Sequence, residues 1–355
     1  MLKSQNVKKV SPRSAAIDLM RIAAVAGVII AHWTWDPIWV PIHLGGNPID
    51  IFGEFSQIGR YGFLGVHIFF IISGAVIVHT AIGRAPRDFV VARFTRLFPA
   101  LTVSIVITAL ILWNSGISRL DILSKSLSSL LFLTPRGSDT WINPVLWTLQ
   151  VEIYFYALIC LVCLFVGAEE RNLWRFSWIW FGITVLTWIN QDLVFLKTVF
   201  MTDYAPFFII GMMLSLSSKV QERILVIPAI VSSLYIGSAT IFAGMDPFER
   251  SQSVIALVIT FGTLLMAVAL WSPSVNAWNS KLISKIGLMT YSLYLFHEYP
   301  GKTILGMMLD FGSSVFLAYL VSSFVVIAIA FAVTQWLEPL ARNWFTNITK
   351  LNKTV

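Results

Sequence analysis

Charge is scarce in this chain. Asp, Glu, Lys and Arg make up 12% of 355 residues, against 57% apolar side chains and a mean hydropathy of +0.78. So few charges cannot cover a soluble surface, which excludes an ordinary soluble domain and leaves a polytopic, all-α integral membrane protein. Cysteine is nearly absent: Cys160 and Cys163 stand alone in an apolar run. That excludes a disulfide framework, and a lone C-x-x-C without a partner His or Cys reads as packing. No His/Cys/Asp cluster shows metal-ligand spacing, so neither a metal nor a permanently bound cofactor is expected. No internal repeat and no polar stretch fit for an appended soluble domain are present. The net charge of +7 needs no nucleic-acid partner, because Lys and Arg gather on one side of a membrane protein in any case.

What the chain has is long apolar runs. Hydropathy predicts about ten transmembrane helices, at 14–34, 63–82, 98–113, 146–166, 174–190, 203–217, 224–243, 252–271, 287–309 and 313–337. With the N-terminus inside, and with Arg175 and Lys302, near span ends, counted with the inside and outside segments respectively, seventeen of the 25 Lys and Arg fall inside and seven outside, with Arg21 within the membrane. The bias puts both termini in the cytoplasm. The first run carries Asp and Arg and no cleavage site follows it, so it reads as a retained span rather than a signal peptide. The organisation is then a cytoplasmic tail at 1–13, a membrane domain at 14–337 and a cytoplasmic tail at 338–355. Loops 35–62 and 114–145 lie outside; the second holds DILSKSLSSLLFL, spaced as a short interfacial helix. Loop 83–97 is the densest basic patch and lies inside.

Within the first run stand Asp18, Arg21 and His32. From Arg21 to His32 is eleven residues, roughly 20° beyond three turns and about 16 Å of axial rise, and Asp18 is about 40° off the same line. One ionisable residue at mid-membrane costs about 2.5–3.5 kcal/mol, so this stripe faces protein or a wet cavity and marks a candidate functional site. Asp18 and Arg21, at i and i+3, can also simply pair to join helices.

Topology places other polar groups by depth. His32 lies near the outer end of its helix. Glu152, in LWTLQVEIYFY, falls about 7 Å below the outer surface on a helix running inward from Trp147. A carboxylate level with a histidine is what a general base needs, since it fixes the tautomer and supports the imidazolium. His67 starts the second span at its outer end, and His297, in YSLYLFHEYP, lies in the middle-to-outer part of the ninth. Arg93 and Arg96 form R-x-x-R at the cytoplasmic mouth of the third span. They read either as positive-inside anchors or as a clamp for phosphate.

These segments, taken together, resemble the acyltransferase 3 family, membrane enzymes that move acyl groups onto carbohydrates and other surface molecules. The resemblance rests on Asp18-x-x-Arg21 with His32 in R-x10-H spacing, GVHIFFIISGAVI at 65–77, Arg93-x-x-Arg96-Leu-Phe-Pro, LWTLQVEIYFY at 146–156 and YSLYLFH at 291–297, in the family's order. It implies a cytoplasmic acyl-CoA donor, commonly acetyl-CoA, with its phosphates on Arg93 and Arg96. It also implies essential His32 and Arg21, and a hydroxyl acceptor on an envelope or exported glycan. The expected site is then His32, Glu152, Arg21 and Asp18 for catalysis, with Trp147, His67, Tyr291 and His297 as substrate contacts. The expected setting is a bacterial-type inner membrane, with polysaccharide-synthesis machinery as a partner. His67 departs from the family, which usually has Asp there. Transfer through an acyl-histidine stays open beside direct transfer, and a glycan transporter or flippase is the alternative class.

Overall fold

A computed structural model of the chain describes residues 14–36, 39–113, 115–135, 140–244, 250–341 and 343; all regular structure among them is helical. The predicted tail at 1–13, Arg136 and most of the tail at 338–355 lie outside the described residues. Each of the ten apolar runs falls on a helix. These are α1 (Ala15–Thr34), α2 (Gly65–Ala81), α3 (Pro86–Leu112), α4 (Leu146–Phe165), α5 (Glu170–Ile189), α6 (Ala205–Leu216), α7 (Val220–Ala243), α8 (Gln252–Trp271), α9 (Lys281–Phe296) and α10 (Val315–Ala332). Among the described residues, six helices are long and apolar enough to cross a membrane, and up to seven if Phe55–Gly62 and Gly65–Ala81 form one bent span. That makes an all-α, multi-pass membrane protein.

Helix ends follow local chemistry. Pro86 opens α3, where its missing N–H is not needed, and Asp88 sits in the first turn where the helix dipole favours an anion. The predicted basic loop at 83–97 is therefore corrected: from Pro86 onward it is helix. Hydropathy misses it because a helix with Arg87, Arg93 and Arg96 on its first turns has too little apolar weight per window. Glu222 caps α7 by accepting the Ser218 and Lys219 N–H groups at 3.0 and 2.9 Å, and Ser314 caps α10 through the Leu317 N–H. Hydroxyls in the apolar helices, such as Thr95, Thr102, Thr184 and Thr240, turn back onto carbonyls three or four residues earlier. In the loop at 114–145, the predicted short helix forms over Arg119–Leu130.

The chain folds into two compact units. One draws on Met1–Arg21, Ile68–Ile82 and Glu169–Gly287; the other on Ile22–His67, Gly83–Ala168 and Leu288–Val355. In the first, α6 is buried along its whole length, packed by α5, α7 and α8. It crosses α2 backbone to backbone: a Cβ on Gly74 would stand 2.2 Å from the Phe208 carbonyl oxygen, and one on Gly211 2.0 Å from that of Ile71. Small residues permit this contact, as is usual between membrane helices. The same unit holds the start of α1, where Asp18 and Arg21 pair at 2.8 Å and Asp18 packs on Gly287.

The second unit carries the part of α1 from Ile22 onward, α3, α4, the end of α9 and α10. α9 does not continue as one span to 309, as hydropathy suggested. Pro300 has no N–H to give the ladder, and His297–Gly301 opens into a π-helical turn before Lys302–Asp310 resumes the α-helix.

Substituting Gly211 by Val has only backbone to push against, so we expect a lower melting temperature and folded yield in detergent. Gly182→Ala, which meets nothing within 4 Å, leaves both unchanged; fluorescence thermal unfolding compares the two.

Candidate active site

The site grows out of the π-helical turn. Widening the helix there sets His297 and Glu298 side by side at its start, both buried. Asn143 Nδ2 and Ser104 Oγ hold the Leu295 carbonyl at 3.1 and 3.2 Å just before the turn. The indole N–H of Trp33 takes the His297 carbonyl at 2.9 Å. Gly301 lets that indole in: a Cβ there would lie 2.7 Å from Trp33 Cζ2. Tyr319 in turn donates to the Trp33 carbonyl. The end of α1 is thus pinned against the turn from two sides.

His32, half-buried, puts Nδ1 on Glu298 Oε2 in a short hydrogen bond. A carboxylate on Nδ1 fixes the proton there and leaves Nε2 as the bare nitrogen, the arrangement of a general base. The other oxygen, Glu298 Oε1, receives Lys302 Nζ at 2.7 Å, and Lys302 also meets Asp36 Oδ2 at 2.5 Å. The His297 ring stands edge-on to His32 at 5.0 Å between centroids, and its Nδ1 is 2.7 Å from the Tyr294 carbonyl. A carbonyl only accepts, so Nδ1 carries the proton, and Nε2 is an acceptor 3.9 Å from Glu298 Oε2.

Glu152 is not the carboxylate on His32, and that assignment is corrected. It accepts the Tyr156 hydroxyl at 2.5 Å and lies within electrostatic reach of Arg93 and Tyr291. Glu298 lies one residue beyond His297 and one turn before Lys302, so the turn delivers it to α1, whereas Glu152 sits further down α4. The missed signal was an i,i+4 pair of opposite charges, Glu298 and Lys302, inside an apolar run; such charges must be paired and inward-facing. Lys302, counted at first with the outer-side cations, is 8% exposed.

The other expected residues divide. Arg93 lies over the Phe89 ring, which contacts Tyr156, within electrostatic reach of Arg96 and Glu152. Tyr291 donates to the Leu97 carbonyl at 3.0 Å. Thr148 is 2.8 Å from Tyr294 Oη. Polar groups therefore follow one another from Arg93 to Tyr294, one turn before His297. Arg93 to Ser104, the level of Leu295, is eleven residues or about 16 Å of α3. His67 is buried with its ring against Phe63, and Trp147 lies in the first turn of α4. Asp18 and Arg21 form their own pair on the first turns of α1. Donor atoms of His32, His297 and Glu298 lie within 4.8 Å of one another, close enough to share an ion, although Lys302 already neutralises the carboxylate.

A multi-pass bundle holding an oriented histidine–carboxylate pair defines a membrane protein equipped for proton transfer at a buried site. The chain belongs to the acyltransferase 3 family: the family's sequence model, described as an acyltransferase domain, matches residues 14–335. It is a membrane acyltransferase, and the transporter alternative falls away. It is similar to a Komagataeibacter xylinus protein named as a membrane-bound transacylase, BcsY, with 24% identity over 84% of this chain and 75% of that one. It is also similar to Nodulation protein 10 of Rhizobium leguminosarum bv. viciae, with 31% identity over 39% of this chain and 41% of that one. No solved structure matches the chain significantly.

Gly301→Val drives a side chain into the Trp33 indole, and overpacking of this kind costs about 1–3 kcal/mol. We expect a lower melting temperature and lower transferase activity together. Gly306→Ala, whose nearest neighbour is His43 Cε1 at 3.5 Å, leaves both near wild type.

Proposed function

We propose that this enzyme is an O-acyltransferase, most simply an O-acetyltransferase, that moves an acyl group from cytoplasmic acyl-CoA to a hydroxyl of an envelope or exported carbohydrate. The observation that carries the reading is the His32–Glu298 pair, with Nδ1 committed to the carboxylate and Nε2 left as base. Family membership supports acyl transfer as the chemistry. The proposed setting is the inner membrane of a bacterium, with ten spans and both termini cytoplasmic, on the strength of the Lys and Arg bias.

In this reading CoA phosphates bind Arg93 and Arg96, and the pantetheine arm follows the polar file past Tyr291 and Tyr294 towards His32. His32 Nε2 takes the acceptor hydroxyl's proton as the oxygen attacks the thioester carbonyl. The tetrahedral intermediate collapses, the C–S bond breaks, and the CoA sulfur leaves with the proton from His32. Glu298 supports the imidazolium between these steps. Arg21, held by Asp18, stabilises negative charge or guides the arm. His297, Trp147, Tyr291 and His67 contact substrate, and polysaccharide-synthesis machinery supplies the acceptor.

Labelled acetyl-CoA turnover in membranes, with envelope glycan fractions counted, tests this. His32→Ala should abolish transfer, and Glu298→Gln should lose about 10²–10⁴-fold, the usual contribution of a proton-transfer device. Glu152→Gln should lose far less turnover than Glu298→Gln. Arg93→Ala/Arg96→Ala should raise the KM for acyl-CoA. Full transfer by His32→Ala sinks the mechanism.

A further inference from the structure

Lys302 is a cation with 8% exposure and two carboxylates on it, Glu298 at 2.7 Å and Asp36 at 2.5 Å. A buried ion pair is weak evidence for stability, because desolvation offsets attraction, so its placement calls for another explanation. Its position supplies one: Lys302 holds the oxygen of Glu298 that His32 does not use. Asp36 is also bifunctional. Its Oδ2 meets Lys302, while its Oδ1 accepts the Trp39 N–H at 2.8 Å, at the start of the outer helix Trp39–Leu44. That helix is itself seated, with Val40 fully buried, His43 stacked on Trp39, and His43 against Gly306 one turn past Lys302.

We propose that Lys302 is a positioning residue for the His32–Glu298 pair, and that Asp36 ties it to the outer segment Trp39–Leu44, so that seating this segment completes the base. The proposal rests on the reading of His32 as proton acceptor. Held by His32 alone, the Glu298 carboxylate could turn about its own side chain and take the ring with it; Lys302, bonded to the second oxygen, fixes carboxylate and ring in one orientation. Asp36 then balances Lys302. With His32 neutral the four groups sum to one negative charge, and when Nε2 takes the acceptor's proton they sum to zero. Proton uptake thus neutralises a half-buried cluster instead of charging it, which favours the transition state in a medium that screens poorly. The segment Trp39–Leu44 is in this way linked, through one carboxylate, to the readiness of the base.

The test uses the full-length enzyme in detergent or vesicles, measuring steady-state transfer from labelled acetyl-CoA for K302M, K302R, D36N, D36N/K302M and H32A. Folding is checked by size exclusion. K302M should lower kcat by about 10–100-fold, the size seen when the outer partner of a metal-bound histidine is lost, with KM for acetyl-CoA unchanged. K302R should restore most of it. D36N alone should also lower kcat, while D36N/K302M should be no worse than K302M, because the two act as one unit. Wild-type kcat in K302M overturns the proposal, as does a loss that appears only in KM or losses that multiply in the double variant. If K302M does not fold, D36N decides: reduced kcat at unchanged KM supports the proposal, and wild-type kcat overturns it. H32A separates the two levels. An inactive H32A beside a fully active K302M overturns this inference alone, whereas an active H32A overturns the reading of His32 beneath it.

Discussion

The Glu298 carboxylate is the constraint on which the second unit is built. Both of its oxygens are committed, one to His32 and one to Lys302. A buried carboxylate is tolerable only when so engaged, because removing it from water costs several kcal/mol that neighbours must offset. Much of the local structure follows from bringing three elements to that one group. The helix opens at Pro300 to aim it, Gly301 makes room for Trp33, Trp33 and Tyr319 anchor the end of α1, and Asn143 and Ser104 hold the helix immediately before the turn. Irregular backbone at this depth is permitted because protein surrounds it.

Below this point the unit is laid out as a graded file. Arg93 and Arg96 stand near one end of α3, Glu152, Tyr156 and Tyr291 come next, then Thr148 and Tyr294, and finally the two histidines. Under the acyl-CoA reading proposed above, the arginines suit an anionic head and the hydroxyls further along suit an amide-bearing arm. On the proposed reading the fold separates recognition of the donor's head from chemistry at its thioester, and the arm alone joins the two.

Much of the architecture was legible. Every apolar run fell on helix, since hydropathy responds to the very property that decides membrane insertion, although among the described residues only six helices, or seven with a bent pair, are long and apolar enough to cross. Ends were less legible where charge and helix coincide: the first turns of α3 and the start of α5 at Glu170 carry ionic residues that a hydropathy window discounts. His32 was legible because a histidine on an apolar helix is expensive. Its partner was not, because depth along a helix fixes only one coordinate. Glu152 and Glu298 compete for the same imidazole on that measure, and the π-helical turn at Pro300 decides between them. Lys302 was hidden for a related reason: a lysine close to a predicted helix end reads as an interfacial cation until the turn draws it inward.

The wholly buried helix α6 has a consequence for how the protein is made. Its twelve residues rise about 18 Å, well short of the roughly 30 Å hydrocarbon core. A segment that short leaves its end carbonyls and amides in hydrocarbon if it enters alone, so it is not a self-sufficient insertion unit. On the ten-span reading proposed above, α6 partitions into the bilayer in company with α5 or α7. Biogenesis of the first unit is then cooperative at this point, and a defect in either flanking helix would be felt as a failure to insert its neighbour.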